Sequence, residues 1–426
     1  MNLRKSYSKT FLLSSFFLLG SLVTPLEWMG GRESGWGIPD AIAQDSQDNS
    51  ANPLEINESD PLIPTGFLTP LRLNSFEEEL ERLNARAIAE LAEENGNAAF
   101  VIWYRELRLR RQVLGRLEEV KALGRIGDIA WQESRTADIK LITKRLETIQ
   151  SEVEAEGSND LAILSALARS YEQVRGFKQA AQIYDFIVAY GRAENDIRTL
   201  ESALKAQGEL YLIWFDYPSA ALIYEQLLAL ARQQFDDFSA VEYLEQLAYI
   251  YDRSIDSEDR ENVKAVLIEK AIEVKRQLLA SYAKKEEIAK YLATKISIAE
   301  HDEALDRPEV ASQGYQEAFE LAWQEKQFER ASEALQKLGE LYQKYDQLDY
   351  AIQIYEEQVK VQTITGDRYG LMNTYDRIGL IYFDRENYAK ALDFFQSGLE
   401  LATFLDYREA YFQTQIDRSL QQNEAS

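Results

Sequence analysis

The sequence predicts an all-α protein: a right-handed α-solenoid of about eight helical hairpins, closed by a C-terminal capping helix. Three observations carry that prediction. A pattern of apolar, small and aromatic residues recurs about every forty residues over most of the chain. Helix breakers are scarce, with 20 Gly and 8 Pro in 426 residues. The apolar share of 46% is enough to fill a core and too high for a disordered acidic chain.

The elements follow in chain order. Arg4, Lys5 and Lys9 form a basic head, and an apolar run extends from Phe11 to Val23. Ala41-Ile42-Ala43-Gln44 then sets small residues at −3 and −1 of a cut after Ala43. This order predicts a signal peptide over residues 1–43 and an exported protein, destined for a periplasm, a thylakoid lumen or the extracellular space. The run of about 13 apolar residues is too short to span a bilayer comfortably, so no stable membrane insertion is expected after cleavage. The signal resembles those of cyanobacterial proteins. Its removal leaves 43 basic against 69 acidic residues, a formal charge of −26, so the acidity belongs to the mature chain. Residues 44–74 carry Pro53, Pro61, Pro64 and Pro70 among Asn, Ser and Asp, and predict a flexible linker.

The repeats are expected over residues 75–421. Gly339 and Gly379 are each followed twelve residues later by an alanine (Ala351, Ala391) and four after that by an aromatic (Tyr355, Phe395). The frame fits again at Leu164, Leu167, Ala168, Tyr171, Ala180 and Tyr184, and at Leu204, Gly208, Tyr211, Ala220 and Tyr224. It restarts at Leu244, Leu247, Ala248 and Tyr251. Weaker copies run through Leu83, Ala87, Ala99 and Trp103, through Leu123, Ile126, Gly127 and Ala130, and through Leu292, Ala311, Tyr315 and Ala318. The anchors thus fall at 87, 127, 168, 208, 248, 292, 339 and 379, spaced by 40 to 47 residues. A small anchor lets antiparallel helices approach closely, and the aromatics are expected to fill the gap between hairpins. Two stretches, 252–262 and 301–309, break the period and are expected as widened acidic turns, with His301 in the second. The segment Asp406 to Leu420 is expected to cap the array, with Tyr407, Tyr411 and Ile416 facing inward.

This combination of small residue, Tyr, Ala and aromatic resembles the tetratricopeptide repeat. The link Thr365-Gly366-Asp367-Arg368-Tyr369-Gly370 resembles that of the longer repeats in kinesin light chain. The resemblance implies a groove lined by the first helix of each hairpin, taking a protein or peptide segment. By frame, its residues are Lys121, Asp128, Arg169, Glu172, Lys205, Glu209, Glu245, Tyr249, Gln336, Glu340, Gln343 and Asp376. They run from mixed charge to acidic, which favours a basic or polar segment at the later end. The family's basic clamp for a terminal carboxylate is not matched, because Arg169, Glu209, Tyr249 and Glu340 stand where it needs Asn.

Composition excludes several chemistries. With no Cys there is no thiolate, disulfide or cysteine metal site, and one His excludes histidine-rich clusters. A formal charge of −25 excludes phosphate-tracking nucleic-acid binding. There is no GxxxxGK[ST], HExxH or GxSxG motif, so no catalytic residue and no cofactor is nominated. The acidic stretch Asp252, Asp256, Glu258 and Asp259 offers oxygen ligands of the kind hard divalent cations take, although it lacks the glycine of an EF-hand loop. The expected function is a non-catalytic scaffold or assembly factor outside the cytoplasm, with photosystem or envelope assembly as the setting the signal suggests. The alternatives are a metal-binding or metal-delivery protein and a self-assembling structural protein.

Overall fold

The computed structural model describes residues 52–55 and 60–425. The signal expected over residues 1–43 lies outside them. From Pro53 to Ser426 the chain forms one compact unit.

Among the described residues, eight antiparallel helical hairpins follow one another, and a single helix ends the array. The first pair is α1 (Pro70–Ala92) with α2 (Gly96–Leu109), and the second α3 (Arg116–Gln132) with α4 (Thr136–Ala155). Next come α5 (Leu161–Gln173) with α6 (Phe177–Ala193), and α7 (Ile197–Ile213) with α8 (Tyr217–Gln233). The fifth pair is α9 (Asp237–Ser257) with α10 (Glu261–Lys285), and the sixth α11 (Ile288–Ala304) with α12 (Pro308–Gln324). Then follow α13 (Phe328–Lys344) with α14 (Leu348–Thr365), and α15 (Arg368–Asp384) with α16 (Tyr388–Leu405). The last helix is α17 (Glu409–Ala425). This is the α-solenoid the repeat predicts.

One turn design is used almost throughout. A helix ends, three residues follow, and the middle one adopts a left-handed conformation, as at Glu94, Ser134, Arg175, Asn195, Phe215, Phe235, Asp306, Lys326, Asp346 and Glu386. The third residue's N–H then reaches back five positions, for example from Gly176 to the Tyr171 carbonyl at 2.7 Å and from Asp236 to the Ala231 carbonyl at 2.9 Å. This is the Schellman closure, which satisfies carbonyls the helix end leaves open. The same third residue often caps the next helix: Asp196, Asp216 and Asp236 each accept from the backbone N–H of a Thr or Ser three residues on. The turn inside each hairpin is three residues long, whereas the links between hairpins vary, with two residues between α10 and α11 and five between α4 and α5.

The anchors work inside each hairpin. A Cβ on Gly379 would come within 2.7 Å of the Phe395 ring, and one on Gly208 within 2.9 Å of Tyr224. At Gly339 it would overlap the Tyr355 ring. These second-helix aromatics therefore lie in the hollow their own anchor leaves, whereas the first-helix tyrosines reach the preceding hairpin as expected from sequence, Tyr171 donating to Gln150 of α4 at 2.9 Å and Tyr251 to Glu225 of α8 at 2.5 Å. The C-terminal end repeats the device, with Phe412 of α17 seated on Gly398 of α16. In α17 Phe412 and Ile416 are buried, whereas Tyr407 lies in the preceding turn and is exposed, contrary to expectation.

Three further corrections arise. First, residues 53–55 and 60–64 are not a free linker. Leu54 is buried, Asp60 pairs with Arg105 of α2 at 2.6 Å, and Arg111 donates to the Leu54 carbonyl at 2.9 Å. Helix α1 also starts at Pro70, before the expected boundary, because Thr69 caps it and proline is tolerated at the first turn. Second, neither break in the period is a widened turn. The excess lies in α9 and α10, of 21 and 25 residues, joined by only three residues. His301 sits within α11, and the sixth anchor is Ala299, packed against Gly314, with Leu292 a core residue two turns earlier on the same face. Third, Gly127 serves the next hairpin more closely than its own: a Cβ there would overlap Val174, just after α5, and come within 3.4 Å of Ile142 in α4. With Gly124 it lets α3 pack directly on α5, where added Cβ atoms would meet Val174 and the Ser170 backbone. Ser170 Oγ donates to the Val120 carbonyl there at 2.9 Å. A π-turn, Arg110–Leu114, and Gly115 (φ 89°) supply the different approach of α3.

A continuous apolar core runs from Leu54 to Tyr282, through the first five hairpins. Beyond it the core divides into smaller clusters.

Candidate functional site

The first helices place their small and apolar residues inward and leave a row of polar side chains on the opposite face. Of the residues expected there, all but Asp376 reach solvent. Asp376 is buried, because Arg408 (3.0 Å) and Tyr411 (2.9 Å) close over it from the capping segment. Its part is to fasten the end of the array.

The later half of this face is not a field of free carboxylates. Each acid is met by a base on the next first helix or, last, the segment before α17: Glu245 by Lys290 (2.9 Å), Glu300 by Lys337 (2.6 Å), Glu303 by Lys344 (2.9 Å), Glu340 by Arg377 (2.8 Å) and Asp376 by Arg408. Burial raises the Glu245 carboxyl, but Lys290 and Tyr282 outweigh it and hold it below the usual range. Lys337 is held above its usual range by Glu300. Such half-exposed pairs contribute at most about 1 kcal/mol each. Their larger effect is to neutralise the face, which overturns the expected acidic end. Gln336 donates to Glu340 at 3.0 Å, Gln343 accepts from Tyr355 at 3.3 Å, and the exposed Tyr249 lies under Arg253.

In the earlier half, Lys121 pairs with Glu118 (2.6 Å) and Asp128 with Arg175 (3.4 Å). Lys205 pairs with Glu201 (3.3 Å) and lies over the Tyr243 ring. Glu172 accepts from Tyr184 at 2.6 Å, and burial raises its pKa. Glu209 stays exposed. Between α5 and α7 a cavity of about 220 Å³ is lined by Arg169 and Arg198 together with Ser165, Ser202, Ala203 and Ile187. Arg198 was missed from sequence because it stands at the second position of its helix, far from the anchor that sets the frame.

The acidic stretch nominated for metal does not converge. Asp252 and Asp256 lie on α9, and Glu258 and Asp259 in the turn after it. Glu258 pairs with Arg260 at 2.9 Å and Asp256 faces Arg253 at 3.8 Å. Asp252 turns inward to a cluster spanning three helices. Lys275 Nζ of α10, only 4% exposed, donates to Asp252 (2.7 and 2.9 Å) and to Ser297 Oγ (2.8 Å) and lies 2.8 Å from His301 Nε2. His301 Nε2 in turn lies 2.9 Å from Asp252 Oδ1. Burial raises the Asp252 carboxyl, but His301 and Lys275 together bring it below the usual aspartate value. Among the described residues, no three His, Asp or Glu side chains are placed to hold a metal ion, and no helix is long and apolar enough to cross a membrane.

Residues 330–404, which span α13 to α16, match the tetratricopeptide repeat model. No curated protein matches the chain. Similar solved structures include the putative kinesin light chain TPR-like repeats of Podosopora anserina, 18% identical, covering 48% of this chain and 95% of that chain with a TM-score of 0.34. BtubC (BKLC) from P. vanneervenii is 20% identical, covering 58% of this chain and 91% of that chain with a TM-score of 0.34. A Rap protein complexed with competence and sporulation factor is 15% identical, covering 82% and 99% with a TM-score of 0.29. The chain is a helical-repeat protein whose residues 330–404 are similar to the tetratricopeptide repeat.

Proposed function

We propose that the protein is a non-catalytic scaffold that holds a segment of a partner protein along the face of its first helices. The observation that carries this reading is the division of labour in every hairpin. Anchors, alanines and aromatics are buried to hold the helices in register, and the first helices spend their outer side on polar groups such as Lys205, Glu209, Tyr249 and Gln343. A surface held by packed helices is already ordered, so a partner does not pay for ordering it. The sequence features of residues 1–43 support action outside the cytoplasm.

A photo-crosslinking residue tests this. Installed at Glu209 on α7 of the full chain, it is expected to capture a discrete partner from the native compartment. Installed at the exposed Arg276 on α10, it is expected to capture none. The same partner at both positions, or only at Arg276, would exclude the first-helix face.

A further inference from the structure

We infer that the cavity between α5 and α7 receives an acidic side chain of the bound segment, gripped by Arg169 and Arg198. The inference rests on the scaffold reading and names one chemical feature of the partner. Elsewhere on the first helices, Lys121, Lys205, Lys290, Lys337, Lys344 and Arg377 are each in an ion pair. Arg169 and Arg198 line one cavity, and among the described residues neither forms an ion pair or a side-chain hydrogen bond. Two guanidiniums left without acceptors at a cavity are donors in waiting, because each presents a fork matched to a carboxylate.

The surrounding charges set the ligand's valence. Asp196 is occupied in capping α7 through Thr199, and Glu201 is shared between Lys205 and Tyr243. Glu172 is held by Tyr184 and feels Arg169 only at longer range. Glu209 is exposed on the next turns of α7. With Glu172 offsetting part of one guanidinium, the site suits a single negative charge better than a phosphate dianion. A volume of about 220 Å³ is below the range of roughly 300–1,000 Å³ for small-molecule sites, and fits one side chain. The Ser165 and Ser202 hydroxyls and the apolar Ile187 and Ala203 complete a pocket for a carboxylate on a short methylene stem.

The probe is an alternating glutamate–alanine octapeptide, dye-labelled at its N-terminus and amidated at its C-terminus, titrated into the full chain by fluorescence anisotropy. Charge-assisted hydrogen bonds of this kind correspond to about tenfold in affinity per guanidinium. Arg169→Gln with Arg198→Gln is expected to weaken binding by tenfold or more. Arg86→Gln with Arg276→Gln, two arginines likewise without an ion pair but on α1 and α10, is expected to leave it unchanged. All four are exposed, and circular dichroism melting checks that the fold is retained. Equal binding by both double variants overturns the site, as does binding confined to a free C-terminal carboxylate or to a phosphoserine version of the peptide. A partner crosslinked at Glu209 equally well in wild type and in the Arg169→Gln, Arg198→Gln variant overturns this site and leaves the scaffold reading standing. No groove crosslink at all overturns both.

Discussion

At the scale of the residue, a missing side chain is as informative as a present one. Gly339 sits mid-helix, where glycine costs about 1 kcal/mol relative to alanine. It is kept because the Tyr355 ring occupies the space a Cβ would take. Gly339→Ala should therefore destabilise by roughly 1–3 kcal/mol despite the gain in helix propensity, and Tyr355→Leu in the same chain should recover part of the loss. Urea unfolding of the single and double variants checks this. Burial also pushes the Tyr355 phenol up to about 12, so its ionisation should lag behind that of an exposed tyrosine in a spectrophotometric titration. The opposite case is Phe235, 91% exposed and left-handed in its turn. A bulky residue strains that conformation by about 1 kcal/mol or more. Phe235→Asn should thus stabilise the fold by up to about 1 kcal/mol, and an unchanged midpoint of unfolding would show the turn to be unstrained. The anchors and alanines were legible in the sequence because packing imposes their spacing. The ring's seat was not, since offsets along one chain do not say which of two neighbouring helices a side chain meets.

At the scale of the element, most helices could be placed from the repeat, and the failures share one cause. A period of forty counts residues without saying whether an excess lengthens a turn or a helix. The stretch from Asp252 to Asn262 is acidic and reads as a loop, yet it extends α9 and α10. The extension carries Asp252 and Lys275 to His301, where the continuous apolar core ends. This cluster ties the fifth hairpin to the sixth. Lys275→Met should cost roughly 2 kcal/mol, less than the 3–5 kcal/mol of a fully buried pair, because the Asp252 side chain is 41% exposed. The folded Asp252 titrates below its ordinary value of 3.8, so its stabilising effect is complete above that value and fades as pH falls through the folded pKa. The stability gap between wild type and Asp252→Asn should accordingly persist down to about pH 4 and narrow as pH falls further. A constant gap from pH 7 to pH 3 in denaturant titrations would contradict the assignment.

At the scale of the whole molecule, each hairpin rests on its neighbours, so stability is close to a sum of repeat and interface contributions. The ends then matter most. Removing the residues after Leu405 uncovers Gly398 and strips Asp376 of Arg408 and Tyr411. A chain ending at Leu405 should lose protection from hydrogen exchange in α15 and α16 first, and leave the first five hairpins as stable as before. The character of the first-helix face was only half legible. Its acids can be counted along the chain, but their partners lie about forty residues away on the next hairpin, as with Glu340 and Arg377. Arg169 and Arg198 stand out only once those pairs are drawn. The most direct test of the account is the hydrogen-exchange footprint of the partner captured at Glu209, measured on the intact complex. The account predicts added protection on α5, α7 and α9, with α6, α8 and α10 unchanged; protection confined to the second helices or to the turns would contradict it.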